Sequence, residues 1–100
     1  MKVQFTKRAQ ASIRHRHAWW QAHRDKAPCL FREELRDVVR KLRRDTDVAR
    51  QHYSGQDETI VWRLLMPKTR HHLYYMRDER TKVALVVLVD SAIGEAGPDL

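Results

Sequence analysis

Thr59-Ile60-Val61-Trp62-Arg63-Leu64-Leu65-Met66-Pro67-Lys68-Thr69-Arg70-His71-His72-Leu73-Tyr74-Tyr75-Met76-Arg77 decides the fold. It reads as two strands, Thr59–Met66 and Arg70–Arg77, reversed at Pro67-Lys68. In the first, Ile60, Trp62, Leu64 and Met66 share one face, with Val61, Arg63 and Leu65 on the other. In the second, His72, Tyr74 and Met76 alternate with His71, Leu73, Tyr75 and Arg77. Arg77-Asp78-Glu79-Arg80 makes the next reversal, into a third strand, Lys82–Val89. There Val83-Ala84-Leu85-Val86-Val87-Leu88-Val89 is apolar without a break. Two hairpins in succession predict an antiparallel meander. A strand with no polar face needs cover on both faces or neighbours on both edges.

Upstream, Val3-Gln4-Phe5 alternates apolar and polar and reads as a short edge strand. Pairing it with Lys82–Val89 gives that strand its second neighbour. The predicted fold is α+β: an N-terminal edge strand, an antiparallel helix hairpin on one face, then the three-stranded meander, with sheet order 1-4-3-2. Thr6 suits a helix N-cap. A first helix is predicted from Lys7 to about His23, with Ala9, Ile13, His17 and Trp20 as a narrow inner stripe. Trp19 and Trp20 point roughly 100° apart, so one enters the core and the other lies at its margin. Asp25-Lys26-Ala27-Pro28 is the break. A second helix, about Pro28 to Arg44, places Phe31, Leu35, Val38, Val39 and Leu42 on one broad apolar stripe. Asp45 to Glu58 is polar and without a firm period. It is expected to be a loop, with a short helical turn around Val48–His52. The segment from Asp90 to Leu100 is expected to be coil.

One hundred residues fit one small domain, residues 1–100. Twenty Lys and Arg oppose 13 Asp and Glu, for a net charge of +7. Such a balance favours a polyanionic partner: nucleic acid, an acidic protein or an anionic lipid surface. No apolar run is long enough for a membrane helix. Met1 to Arg8 lacks the apolar region of a secretory signal, so a cytoplasmic setting is expected. Cys29, the single cysteine, excludes an intrachain disulfide. It is read as a small residue at the hairpin corner rather than a nucleophile, since nothing marks a partner base.

His15, His17 and His23, or His71 and His72, are conceivable metal ligands, but neither set has the spacing to share one ion. Surface histidines in a basic protein are the better account, and no metal or other cofactor is expected. The sequence holds no phosphate-binding glycine loop, no nucleophile elbow and no zinc-protease motif. What stands out is the cationic and aromatic cluster Arg63, Arg70, His72, Tyr74, Tyr75 and Arg77. On an exposed sheet, Arg and Tyr hold phosphates and stack on bases, and Arg with His supports RNA cleavage. Alternatively, either tyrosine is core and the arginines are solvated or ion-paired.

The order of strand, Trp-Trp helix hairpin, Phe-x-x-Glu-Leu helix and three strands resembles the RelE/ParE superfamily of toxins from type II toxin–antitoxin systems. The resemblance spans nearly the whole chain. It rests on Trp19-Trp20 with Arg24, on Phe31-Arg32-Glu33-Glu34-Leu35, and on the run from Trp62 to Tyr75. The pattern Gly94-x-x-Gly97-Pro98-x-Leu100 fits the family's usual ending. The nearest pattern is the ParE side, often described as plasmid stabilisation proteins. The resemblance implies a growth-inhibiting, cytoplasmic toxin neutralised by a cognate antitoxin, with operator DNA met only through the antitoxin complex. ParE-like members poison DNA gyrase, and RelE-like members cleave mRNA on the ribosome. Asp90-Ser91-Ala92-Ile93 stands where nuclease members place His or Tyr. The expectation is therefore gyrase inhibition without catalysis, with ribosome-dependent mRNA cleavage as the alternative. A nuclease would draw on Arg63, Arg70, His72, Tyr74 and Tyr75. Target or antitoxin binding would draw on Trp19, Arg63, Arg70, Tyr74, Tyr75 and Arg77.

Overall fold

The computed structural model describes residues 1–44, 50–54 and 60–93. Along the chain come β1 (Lys2–Phe5), α1 (Lys7–His23), α2 (Leu30–Arg44), β2 (Arg50–Ser54), β3 (Ile60–Met66), β4 (His71–Asp78) and β5 (Val83–Ser91). The strands form one mixed sheet in the order β1-β5-β4-β3-β2. β1 runs parallel to β5, and the remaining neighbours are antiparallel. The expected order of β1, β5, β4 and β3 is therefore present, with β5 flanked on both edges.

β2 is an addition. Residues 50–54, expected within a loop, pair with β3 from Arg50↔Leu64 to Ser54↔Ile60. The helical turn expected around Val48–His52 is absent at residues 50–52, which are strand; residues 45–49 lie outside the described set. Arg-Gln-His-Tyr-Ser has no apolar alternation to announce a strand. Its backbone instead meets the free edge of β3, whose N–H and C=O groups would otherwise face solvent. At the other end, Asp90 and Ser91 extend β5 rather than starting coil; residues 94–100 lie outside the described set.

Thr6 caps α1 as expected, its hydroxyl accepting from the Ala9 N–H at 3.0 Å. Arg24 closes the helix, its N–H donating to the Trp20 carbonyl at 2.8 Å. The Trp20 indole donates to the Ala27 carbonyl at 2.7 Å, which fixes the turn into α2. α2 begins two residues later than the Pro28 expectation: Pro28 lies in the turn, and the Glu33 N–H reaches the Cys29 carbonyl at 3.0 Å.

Both helices lie on one face of the sheet. Their buried Ala9, Trp20, Phe31, Val38, Val39 and Leu42 pack with Leu64, Met66, Leu73, Tyr75, Ala84, Val86 and Val89. A smaller cluster, Val61, Tyr74 and Leu88, lies apart from it, with Met76 and Val87 half-buried beside it. The two lie on opposite faces of the sheet, and a β-bulge breaks the alternation of β5 between them. β4 pairs Tyr74 with Leu88 but Tyr75 with Val86, so Val87 is the extra residue. Val87 and Leu88 both join the small cluster, and Val89 returns to the main core. The disturbed ladder is repaired by α1, where Ser12 Oγ accepts from the Val89 N–H at 3.0 Å. Among the described residues no helix is long and apolar enough to cross a membrane.

Candidate functional site

The turn between β3 and β4, residues 67–70, is held from the helix side by one carboxylate. Glu34 on α2 is 5% exposed. It accepts the Lys68 N–H at 2.7 Å, the Thr69 N–H at 2.9 Å and the Thr69 hydroxyl at 2.7 Å. The chain of bonds continues. His71 Nδ1 lies 3.0 Å from Thr69 Oγ1, and Arg16 Nε donates to His71 Nε2 at 3.0 Å. Because Nε2 accepts, the neutral ring carries its proton on Nδ1 and donates it to Thr69. Arg16, His71, Thr69 and Glu34 thus link α1, β4, the turn and α2.

His71 is 1% exposed and packs edge-on against Phe31, with ring centroids 4.9 Å apart, and against Trp20 at 6.3 Å. The expectation that it is a surface histidine is overturned: alternation puts it on the inner face with Leu73, between two aromatic rings. Burial, then the charge of Arg16, lowers its pKa from 6.5 to about 4.

On the sheet face away from the helices, the same turn borders a cleft of about 460 Å³ lined by Leu65, Pro67, Arg70, His72, Ala92 and Ile93. Leu65 is 51% and Ile93 70% exposed, so its walls offer apolar surface to solvent. Arg70 has φ +58°, the left-handed region a Cβ disfavours, and its carbonyl accepts the Ala92 N–H at 2.9 Å. His72 lies in register with Leu65 and Asp90. Burial, then Arg63, lowers its pKa. Its ring meets the edge of Tyr74 at 5.9 Å.

The predicted cluster is thereby split. Arg63 and His72 share the open face, and Arg70 joins His72 at the cleft. Tyr74, 1% exposed, is the core of the small cluster, and Tyr75, 0% exposed, belongs to the main core. Arg77 alternates onto the face of Tyr75, roughly 23 Å along the strand from Arg70, and pairs with Glu79 at 3.0 Å. Trp19, half-buried on α1, is stacked with His23 at 4.2 Å, and Arg16 lies over its ring at 4.7 Å. It lines neither this cleft nor the groove described next.

That groove, about 530 Å³, lies between the helices and β1. Its apolar lining is Phe5, Ile13, Leu35 and Val39, and its cationic side chains are Arg14, Arg32 and Arg36. The residues that sequence reasoning missed are Glu34, Thr69 and Arg16. Glu34 falls three residues after Phe31 and four before Val38, inside the inner stripe, and that position was the available signal.

No protein-family model matches the chain, and no curated protein is significantly similar in sequence. Solved structures share its architecture, among them two toxin–antitoxin structures. One is of the chromosomal ParDE TA system from P. aeruginosa, with a TM-score of 0.67 at 14% identity, covering 91% of this chain and 95% of that one. The other is the YoeB/ParE toxin from Agrobacterium tumefaciens, with a TM-score of 0.58 at 15% identity, covering 91% and 98%. At such identities what is shared is the course of the backbone, over 91% of this chain in both comparisons. The chain has the RelE/ParE toxin fold.

Proposed function

We propose that this chain is the toxin of a type II toxin–antitoxin pair, and that it acts by binding its target rather than by cutting RNA. Two of the structures of like fold carry the names of a ParDE system and a YoeB/ParE toxin. The observation that carries the reading is the pair of surfaces on opposite sides of one sheet. The helix-side groove, apolar inside and rimmed by Arg14, Arg32 and Arg36, suits an acidic amphipathic segment of a neutralising partner. The open-face cleft, with exposed Leu65 and Ile93 beside Arg70, suits a protein target. The ParE-like target is DNA gyrase. Burial of Tyr74 and Tyr75 supports binding over cleavage, since two of the five nuclease candidates are packed inside.

The test is induced expression of the chain alone and with the protein encoded beside it. The reading expects growth arrest that the neighbour relieves, inhibited supercoiling by purified gyrase, and intact mRNA. No arrest sinks the toxin reading. Arrest with fragmented mRNA and unaffected gyrase replaces the mechanism with the RelE-like one. One observation favours that alternative: His72 shares the open face with Arg63 and lines the cleft with Arg70, and burial with the charge of Arg63 lowers its pKa, which suits a general base.

A further inference from the structure

Among the described residues that line the open-face cleft Arg70 is the one Lys or Arg, and its backbone conformation is unfavourable for a residue with a Cβ. Such a conformation persists only where the surroundings over-determine it. Here they do so from three directions. The residue before it, Thr69, is bound through both its N–H and its hydroxyl to Glu34. The residue after it, His71, is bound by Arg16 and Thr69. Its own carbonyl is tied to Ala92, which lines the cleft. Glu34 itself does not line the cleft: it belongs to α2, on the helix side of the sheet. A buried carboxylate with three donors aimed at it is a strong and directional constraint. Its donors all belong to the turn that carries Arg70.

We propose that Glu34 is a positioning residue for the open-face cleft, acting through Thr69 to hold the turn in the conformation that presents Arg70 and His72 together. The inference rests on the reading that this cleft faces the target. It places a determinant of activity on the helix side of the sheet, in a residue that touches no target.

The decisive variant is Glu34→Gln, which keeps the length of the side chain but turns an amide NH2 toward a ring of donors. The assays are backbone NMR of the full chain, the thermal midpoint, and growth arrest at matched soluble level. The expected result is that the Cα and Cβ shifts of Arg70 lose their left-handed signature and the amides of His72, Ala92 and Ile93 move. Those of Ala84 and Val86, in the main core, stay in place. Potency in growth arrest falls on the order of tenfold, the usual scale for loss of a supporting partner. A folded Glu34→Gln chain with wild-type cleft resonances, or with full potency, overturns the proposal. Should Glu34→Gln fail to fold, Thr69→Ala breaks the link to His71 and leaves both backbone bonds of Glu34 in place. The same cleft shifts, smaller in size, are then expected, and their absence overturns the proposal equally. If the wild-type chain causes no arrest, the toxin reading falls, and the spectra alone decide the positioning role.

Discussion

Acidification should destabilise this fold chiefly through the buried His71. His71 titrates near 6.5 in an unfolded chain and at about 4 in the folded one. The ring is closed in by Trp20 and Phe31, and Arg16 places a positive charge on the nitrogen that a second proton would need. Glu34 and Asp90 act in the opposite direction without reversing it. Between the two values the unfolded state binds the proton and the folded state does not, so stability rises with pH there. The contribution is fully present above pH 6.5 and is lost as pH falls toward 4. Working the two-state expression from 6.5 and about 4 gives a loss of about 2 kcal/mol between pH 7 and pH 5. For a domain of this size that is roughly 10 °C in thermal midpoint. The assay is urea unfolding from pH 7.5 to 4.5, repeated on His71→Gln, whose amide oxygen can still accept from Arg16 but does not titrate. The difference between the two profiles isolates His71 from the other carboxylates and histidines. Parallel profiles, or an NMR titration of the His71 ring with a midpoint near 6.5 in the folded chain, would refute the reasoning.

Other perturbations test separate parts of the structure. Ser12→Ala removes the acceptor of the Val89 N–H and leaves that donor buried beside the bulge, so it should cost about 1–3 kcal/mol in urea unfolding; an unchanged midpoint would show that solvent reaches it. Lys82 has φ +57° at the entry to β5, and Lys82→Gly should raise stability by about 0.5–1 kcal/mol, the strain relieved less the added chain entropy. Leu65→Glu, at a position already 51% exposed, should leave the thermal midpoint within about 3 °C and abolish growth arrest; full arrest would take the open-face cleft out of target binding. Arg14→Glu with Arg36→Glu should preserve arrest and remove rescue by the neighbouring protein, read as colony formation on co-expression.

What the sequence made legible follows from how strongly each segment's pattern constrains it. α2 was readable because Phe31, Val38, Val39 and Leu42 repeat with a helical period and are all buried. β5 was readable because an unbroken apolar run must be flanked, and β1 and β4 flank it. β2 was not readable, because an edge strand of Arg-Gln-His-Tyr-Ser is specified by the backbone of its neighbour and not by its own side chains. The bulge was equally hidden: any of seven consecutive apolar residues could carry the extra position, and only pairing with Tyr74 and Tyr75 selects Val87.

The site was misread for a related reason. Strand alternation correctly separates His71 from His72, but it does not say which side the helices cover. That is decided by Leu64, Leu73, Tyr75 and Val86 together, which bury more apolar surface than Val61, Tyr74 and Leu88. Once the covered side is fixed, His71 must enter the core, and a buried imidazole needs partners for both nitrogens. Arg16 and Thr69 supply them, and Thr69 in turn needs the acceptor that Glu34 provides. Each polar residue in that chain looks like a defect in an apolar stripe when its own element is read alone. Arg16 falls between Ile13 and Trp20, and Glu34 between Phe31 and Val38. Two interruptions of opposite charge, on the inner faces of both helices of one hairpin, are hard to reconcile with a purely apolar core. Together they point to a polar strut through it, and the Thr-x-His at the start of β4 is where such a strut can land.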